Sequence, residues 1–408
     1  MKRKDILELK KRLKKDQCTF TKMCGCFVNT EKNIILELKE TFLNLDEDDY
    51  FKYLEIAKKV LSGTIENNIL ELNFPNGGED INNKQLSLIQ LKKSKLKDDD
   101  LINNFYKSII DNYDYPCNYL ILLFHDVYDV ITKTTDNLKL DESEEVFEYV
   151  LCAICPISLS APALSYYEEE NKIKSRLRDW MVEAPTNGFV YPAFIDRSAD
   201  VNSIMYYTKN SKDTHPELME NALGCFSKET SAIQKERFQS IIKDSISADE
   251  EEAEELYMEI QDNLNTLVEE HKASYGDLES EVIKLTKNEL KNVLVKSGIT
   301  KENATKIEKF YEESFNDEFP LVESLIDGKI LKVNEQRKKE KTLEKQVEFL
   351  KVKLGQVDTM DNIDGDYDIV LMVKPEKIHE IKTQIIDGQE YLVIPVKENE
   401  KTTITELK

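Results

Sequence analysis

The sequence lacks every short motif that would tie it to a specific chemistry. It has no glycine-rich phosphate loop, no Gly-x-Ser-x-Gly nucleophile elbow and no zinc-protease helix. Its four histidines are widely scattered, at His125, His215, His271 and His379. We therefore predict a protein that is not an enzyme and that needs no cofactor and no metal.

Long apolar runs are also missing. No segment approaches the roughly 18 apolar residues of a membrane-spanning helix. The start, Met1 to Glu8, is charged where a signal peptide would be apolar. These absences predict a cytoplasmic protein without membrane contact, and a nucleoid location is compatible with them. The seven cysteines are an odd number and several lie in strand-like runs, which favours reduced core residues over disulfides.

Positive charge is scarce relative to negative charge. The 56 basic and 79 acidic residues give a net charge of −23, which opposes a general attraction to DNA, RNA or an anionic membrane. A nucleic-acid-binding role would need a local basic patch. Two such patches are present, and their residues are candidate phosphate contacts: Lys10, Lys11, Arg12, Lys14 and Lys15 in the first, and Lys172, Lys174, Arg176 and Arg178 in the second.

Each basic patch also has a simpler interpretation. The first lies on an amphipathic helix predicted over residues 1–16, which could dock its leucines on the body and leave its cations in water. The second alternates along a predicted strand before Trp180, which would place the four cations on one face. That face could be an ordinary solvated sheet surface, because Glu168 to Glu170 lie beside it.

The longest apolar stretch, Cys117 to Ser160, predicts the centre of the fold. It contains two buried strands, Tyr119 to Tyr128 and Phe147 to Ile157, joined by an acidic connection around Asp136 to Glu145. The neighbouring patterns predict a hairpin within residues 18–38, helices at 46–61 and 99–112, and strands at 69–74, 166–170, 171–180, 188–195 and 201–208. The later strands would form an antiparallel meander.

From His215 onward the pattern becomes helical. Helices are predicted at residues 215–223, 231–245, 249–271, 286–296 and 300–314. The segment from Asp249 to Glu270 has ten carboxylates and no Lys or Arg, so its outer face would be acidic. A heptad-like seam of Leu343, Val347, Leu350 and Leu354 makes a homodimer a reasonable expectation, although it covers under two heptads.

Together these segments predict an α+β fold with an N-terminal, mostly antiparallel sheet domain with helices, a central helical region and a small C-terminal β-rich unit. The last unit would contain a Gly/Asp loop at Asp361 to Asp368 and strands at 369–373, 383–386 and 391–396. The predicted boundaries are a basic helix at 1–16, the α+β domain at 17–212, the helical region at 213–332, a charged heptad-like helix at 333–356 and the β-rich unit at 357–408.

Three further candidate sites have ordinary structural interpretations. Cys152 and Cys155 have metal-knuckle spacing, but they lie in an apolar strand and a second knuckle is missing, so we interpret them as core residues. The pair His125 and Asp126 resembles a phosphohydrolase metal pair without its companion residues. A hydrogen-bonded sheet histidine is therefore preferred, and a metal-dependent hydrolase is the remote alternative. The Asp361 to Asp368 loop lacks the ligand order of an EF-hand and is predicted to be an exposed turn.

Several phrases in the chain resemble a family of Firmicutes proteins known only as a domain of unknown function. They are Cys24-Gly-Cys-Phe27, Leu61-Ser-Gly-Thr64, Tyr119-Leu-Ile-Leu122, Leu151-Cys-Ala-Ile-Cys-Pro156 and Pro192-Ala-Phe-Ile-Asp-Arg-Ser198. This resemblance covers nearly the whole chain and implies no activity.

The order of segments is similar to that of a second family. The shared order runs from the N-terminal hairpin through Phe124-His125, Glu148-Tyr149, Trp180 and the Arg197 loop to Leu223-Gly224, and it resembles the bacterial nucleoid-associated protein family represented by NdpA/YejK. This resemblance implies nucleoid binding and supplies no contact residues. The present chain departs from it by the added segment Asn334 to Leu354.

Two functional hypotheses follow from these observations. The first is a non-enzymatic, nucleoid-associated-like protein that binds DNA, or a DNA-bound partner, through the two basic patches. The second is a protein-interaction module whose acidic helix at Asp249 to Glu270 binds a basic or DNA-binding partner protein.

Overall fold

The computed structural model describes residues 1–75, 82–133, 139–246, 250–275, 283–316, 319–355, 381–386 and 389–395. The chain divides into two compact units, Met1–Asn334 and Glu335–Lys408. Within the first unit the strands are β1 (Lys22–Val28), β2 (Ile34–Thr41), β3 (Ile69–Asn73), β4 (Asn118–Lys133), β5 (Lys139–Leu159), β6 (Leu164–Tyr167), β7 (Lys172–Ser175), β8 (Trp180–Val182), β9 (Asn187–Tyr191), β10 (Ala193–Ile195), β11 (Ser198–Asp200) and β12 (Ser203–Thr208).

The main sheet has the order β2-β1-β4-β5-β9-β12-β3, and β8 pairs with the end of β5. All of its recorded pairs are antiparallel. The α+β class and the antiparallel sheet are thus confirmed. The later strands β4, β5, β9 and β12 are neighbours in chain order, as in the predicted meander, although β6, β7, β10 and β11 lie outside this path and β3 pairs with β12 at the far edge. The predicted acidic connection is wrong from Lys139 onward, since β5 begins there.

Helices cover both faces of this sheet. They are α1 (Arg3–Arg12), α2 (Glu47–Val60), α3 (Asn83–Lys93) and α4 (Asp99–Asn112). One face packs on α3 and α4, with Leu88, Leu91, Ile102 and Tyr106 in its core. The other face packs on α1 and α2, with Leu9, Leu54, Ala57 and Val60 in its core. Because both faces are covered, β4 and β5 have apolar residues at nearly every position of their inner halves.

Local sequence signals explain where two of these helices begin and end. The Asp98 carboxylate accepts hydrogen bonds from the amides of Asp100 and Leu101 at the start of α4. Helix α2 has three acids in its first turn and two lysines in its last, which match the helix dipole. Gly63 follows α2 with a φ of +104°, a conformation that favours glycine.

The remainder of the first unit is helical around a third core. Its helices are α5 (Ser231–Ile246), α6 (Glu250–Tyr275), α7 (Lys287–Lys296), α8 (Lys301–Phe315), α9 (Val322–Leu325) and the start of α10 (Gly328–Gly355). Phe238, Tyr257, Ile260, Ile307 and Tyr311 lie in this core. The predicted helix at 215–223 contains a π-helical turn, Leu218–Ala222.

The second unit contains the rest of α10 and a hairpin of β13 (Lys382–Ile386) and β14 (Gln389–Val393). The C-terminal hairpin was predicted. The predicted loop at Asp361 to Asp368, the strand at 369–373 and the hairpin turn at 387–388 lie outside the described residues. Among the described helices, none is long and apolar enough to cross a membrane.

Candidate nucleic-acid interface

The second basic patch lies on a two-stranded extension of the main sheet. At the end of β5, the pairs Ile157↔Val182 to Leu159↔Trp180 are the last pairs of the main sheet. The pairs Leu164↔Ser175 to Tyr167↔Lys172 continue beyond them in the same register. Between them the Ser160 amide donates to the Asp179 carbonyl, and the Arg176 amide donates to the Ala163 carbonyl, each at 2.8 Å. We call residues 160–180 the arm. No side chain from Ala161 to Trp180 is buried.

Strand alternation gives the arm two different faces. Lys172 and Lys174 lie opposite Tyr167 and Ser165 on one face. Arg176 and Arg178 follow β7 outside any strand, and Trp180, which begins β8, is 57% exposed. We call this set, with Tyr167, the cationic face. The other face carries Leu164, Tyr166, Ile173 and Leu177, and we call it the apolar face.

The predicted single strand up to Trp180 is wrong in extent, because β7 ends at Ser175. Pro162, on the facing strand, has no amide to donate, so the ladder is interrupted there. The Leu177 amide instead donates to the Tyr167 hydroxyl at 3.2 Å. The Arg178 Nε donates to the Ser160 carbonyl at 2.7 Å, which ties the base of the arm together.

The cations of the arm have few and exposed partners. Lys174 Nζ lies 2.5 Å from Glu170 Oε1 and 4.4 Å from the Tyr167 ring centroid. Arg176 Nη2 lies 3.8 Å from Asp179 Oδ2. For Lys172, no ion pair is recorded within the described part of the chain. Exposed pairs of this kind contribute at most about 1 kcal/mol, so the face can exchange its carboxylate partners for other anions.

Two of the five cations of the first basic patch, Arg12 and Lys15, make contacts within the protein. Helix α1 ends at Arg12, so Lys14 and Lys15 follow it in a turn, which corrects the predicted helix over residues 1–16. The Arg12 guanidinium lies 4.8 Å from the Tyr128 ring centroid, and Lys15 pairs with Glu47. Lys10, Lys11 and Lys14 have no recorded ion pair among the described residues. Among the described residues, no hydrogen bond or ion pair joins this patch to the arm.

A polar network lies inside the sheet at the pair His125 and Asp126, which are both fully buried. The His125 Nδ1 is 3.0 Å from the Thr21 hydroxyl, and its Nε2 is 3.1 Å from Glu148 Oε1. Burial lowers the pKa of His125 below the ordinary value of 6.5, although Glu148 opposes this shift. The ring is thereby favoured in its neutral form.

Asp126 belongs to the opposite face of the same strand. Its Oδ2 accepts from the Tyr149 hydroxyl at 2.8 Å, and its Oδ1 accepts from the Thr19 hydroxyl at 2.6 Å. The two neighbours His125 and Asp126 therefore point away from each other and do not converge on one ligand. The sequence pattern did not reveal Thr19, Glu148 or Tyr149 as their partners, because these residues are distant along the chain.

The cysteines of the apparent metal knuckle are also separated by the sheet. Cys152 belongs to the core beneath α3 and α4, and Cys155 belongs to the core beneath α1 and α2. Burial raises the pKa of Cys155 to about 12. The described residues contain no cluster of three His, Cys, Asp or Glu side chains arranged for a metal.

The acidic helix is α6, and it packs through Ala253, Tyr257, Ile260, Leu264 and Val268. Its exposed carboxylates include Glu251, Glu252, Glu254, Glu255, Glu269 and Glu270. Helical spacing predicts a buried face of Leu256, Ile260, Leu264 and Leu267; Ile260 and Leu264 lie in the core, whereas Leu256 and Leu267 are partly buried against it. The carboxylates accordingly lie on the surface of the helical region.

The fold and its candidate interface define a mixed α+β protein with an exposed β arm. Residues 1–405 match the family described as Domain of unknown function (DUF4317), so the chain belongs to that family. No curated protein is significantly similar to the chain. The resemblance to the nucleoid-associated family has no support beyond the order of segments.

Proposed function

We propose that this protein is a non-enzymatic DNA-binding protein that contacts the phosphate backbone with the cationic face of its arm. The proposal rests on one observation: four exposed cations, Lys172, Lys174, Arg176 and Arg178, lie along the arm with Tyr167 and Trp180 beside them. The proposal does not depend on the resemblance to the nucleoid-associated family. The location that it implies is the nucleoid.

The dimensions of the arm support a backbone contact. Alternate residues of a strand are about 6.6 Å apart, and one strand of duplex DNA carries one charge per roughly 3.4 Å of helix axis. Lys172 and Lys174 would therefore be able to reach two different phosphates of one strand. A two-stranded ribbon also fits the major groove of duplex DNA. Tyr167 and Trp180 could stack on bases where the strands are separated.

The negative charge of the protein sets the expected strength of binding. Glu168, Glu169 and Glu170 form the tip of the arm, next to Lys172. They repel phosphates, as does the net charge of −23. Binding should therefore be weak and steeply dependent on salt. Lys10, Lys11 and Lys14 would add a second, smaller contact.

Fluorescence anisotropy with labelled duplex and single-stranded DNA tests the proposal. Four phosphate contacts predict an affinity that falls roughly a hundredfold between about 50 and 200 mM salt. Changing Lys172, Lys174, Arg176 and Arg178 to Ala should abolish binding. A matched control changes Lys291, Lys296, Lys301 and Lys309 to Ala, which alters the net charge equally and should leave most of the binding intact. Absence of binding at the lowest salt would refute the proposal.

Neutralising two glutamates at the tip of the arm distinguishes DNA from a basic protein as the molecule that the arm binds. Glu168→Gln with Glu169→Gln removes two negative charges beside the cationic face, so DNA affinity should rise about threefold to tenfold. A basic protein bound at the arm would instead be weakened by the same change. A fall in DNA affinity would contradict a phosphate contact along this face.

A second candidate function is favoured by α6, whose carboxylates face outward while its apolar residues are buried. This arrangement fits a module that binds a basic or DNA-binding partner protein through that helix. A photo-crosslinking residue at Glu254 would then label a protein, and a nuclease would not remove the label.

A further inference from the structure

The outer edge of β3 is defined by its pairing with β12. The Thr208 amide donates to the Asn68 carbonyl at 2.9 Å, so even-numbered residues on this side of the ladder bond to β12. Alternate residues of an antiparallel strand direct their backbone groups to opposite neighbours. The amides and carbonyls of Ile69, Glu71 and Asn73 therefore point to the outer edge of the sheet.

The chain itself occupies this edge on both sides of Glu71. The Ile69 carbonyl accepts from the Glu66 amide at 2.9 Å, and the Asn73 carbonyl accepts from the Phe226 amide at 3.0 Å. For the amide and the carbonyl of Glu71, no hydrogen bond at the outer edge is recorded among the described residues. The edge is thus open at one position, where one donor and one acceptor are available side by side.

Glu71 lines a cleft of about 510 Å³ between the sheet and the helical region. Sites for small ligands are usually clefts of roughly 300–1,000 Å³, and they occur preferentially at boundaries of this kind. Phe226 lines the cleft from the sheet side and is 60% exposed, and Lys284 lines it from the helical side. The cleft therefore combines open backbone groups with an aromatic surface and a cation.

Among the cations that line the cleft, one has no carboxylate partner. Lys228 Nζ lies 3.0 Å from Glu66 Oε2, and the Arg237 guanidinium pairs with Glu229. For Lys284, no ion pair is recorded within the described part of the chain. A ligand carboxylate would therefore gain a charge-assisted contact with Lys284 without displacing an existing ion pair.

We propose that this cleft binds a small ligand with an amide N–H next to a free carboxylate, as at the C-terminal residue of a dipeptide. That amide would donate to the Glu71 carbonyl, and the carboxylate would accept from the Glu71 amide and pair with Lys284. This exchange of two hydrogen bonds is the one that directly opposite residues make in an antiparallel ladder. A longer strand is excluded, because Glu66 and Phe226 occupy the neighbouring positions. The site is separate from the arm.

Equilibrium dialysis of the purified full chain tests the proposal. The probe is an equimolar mixture of dipeptides with alanine first and each standard amino acid second, and mass spectrometry measures which ones are retained. At least one dipeptide should bind with a Kd below about 1 mM. The matching dipeptide amides lack the carboxylate and should bind about tenfold more weakly. Retention of no dipeptide, or equal retention of the amides, overturns the proposal.

One substitution tests the role of the unpaired cation. Lys284→Ala should weaken binding of the retained dipeptide about tenfold, because the carboxylate loses its charge-assisted contact. Lys291→Ala is the matched control, since it makes the same charge change at an exposed residue that does not line the cleft. It should leave the Kd unchanged. Equal weakening in both variants would attribute the binding to net charge and contradict the proposed site.

A change in the ligand tests the open position of β3 and cannot affect the folding of the protein. Methylation of the dipeptide amide nitrogen removes the donor to the Glu71 carbonyl, so the affinity should fall about tenfold. Hydrogen exchange of the peptide that contains Glu71 should also slow when the unmethylated dipeptide is bound. A methylated dipeptide that binds as tightly as the unmethylated one would exclude the edge of β3 as the binding position.

Discussion

The central strand β5 and the arm that continues it share one antiparallel pairing but have opposite surroundings. Between Phe147 and Ile157 both faces of β5 are covered by helices, and the polar groups find partners within the chain. Beyond Ser160 the same pairing carries side chains that lie in solvent. The inner half of this strand pairing, in β5, therefore stabilises the fold, while the outer half, in the arm, is available for binding.

The largest expected effect is a core truncation in β4. Phe124 is fully buried and stacks on Phe20 with ring centroids 5.0 Å apart. Phe124→Ala should cost about 3–5 kcal/mol of stability. Hydrogen exchange of peptides covering β4 and β5 measures this loss. Tyr166→Ala in the arm is the matched control and should change the same exchange by less than about 0.5 kcal/mol in dilute solution. Equal losses of stability in Phe124→Ala and Tyr166→Ala would contradict the distinction between a stabilising core and an arm that contributes little to stability.

A smaller effect is expected for one hydroxyl in the buried network. Tyr149→Phe removes the hydrogen bond to Asp126 Oδ2 and leaves a buried carboxylate oxygen without this donor. The cost should be about 1.5–3 kcal/mol. Tyr128→Phe is a matched control, because the buried Tyr128 hydroxyl has no recorded hydrogen-bond partner among the described residues. Thermal denaturation should therefore separate the two variants. A neutral Tyr149→Phe would show that the network contributes nothing.

The smallest effect is a dependence of stability on pH. The folded-state pKa of His125 lies below its ordinary value of 6.5, so the unfolded chain takes up a proton first as the pH falls. The stability due to neutral His125 is present above about pH 6.5, and it is lost as the pH falls toward the lower folded-state pKa. His125→Gln should flatten the dependence between about pH 7 and 5, as measured by melting temperature. If the slope of melting temperature against pH is the same in His125→Gln as in the wild type, then titratable groups other than His125 cause the pH dependence.

The elements of the sheet were largely predictable because their apolar residues follow simple periods. Helix α4 begins and ends at the predicted residues, and the spacing of Ile260 and Leu264 identified part of the buried face of α6. Helix α3 was not predicted because its apolar residues are not confined to one face: Leu88 and Leu91 are buried, whereas Leu86 is exposed. The far-edge position of β3 depends on pairing with a strand about 130 residues later, which no local pattern encodes.

The candidate interface was predictable in part. The alternation of Lys172 and Lys174 indicated a shared face, and the register agrees with it. The apolar face was not predicted, because Leu164 and Tyr166 come to lie beside Ile173 only through the pairing of β6 with β7. The end of β7 at Ser175 follows from Pro162 on the opposite strand, which cannot be inferred before the register is known.

The continuity of β5 into the arm also has a mechanical consequence. The arm emerges in line with a strand that pairs with β4 on one side and with β9 on the other. Tension applied along the arm would therefore act in shear on both ladders at once, so that many hydrogen bonds resist it together. Whatever is held at the arm is thus anchored to the centre of the sheet.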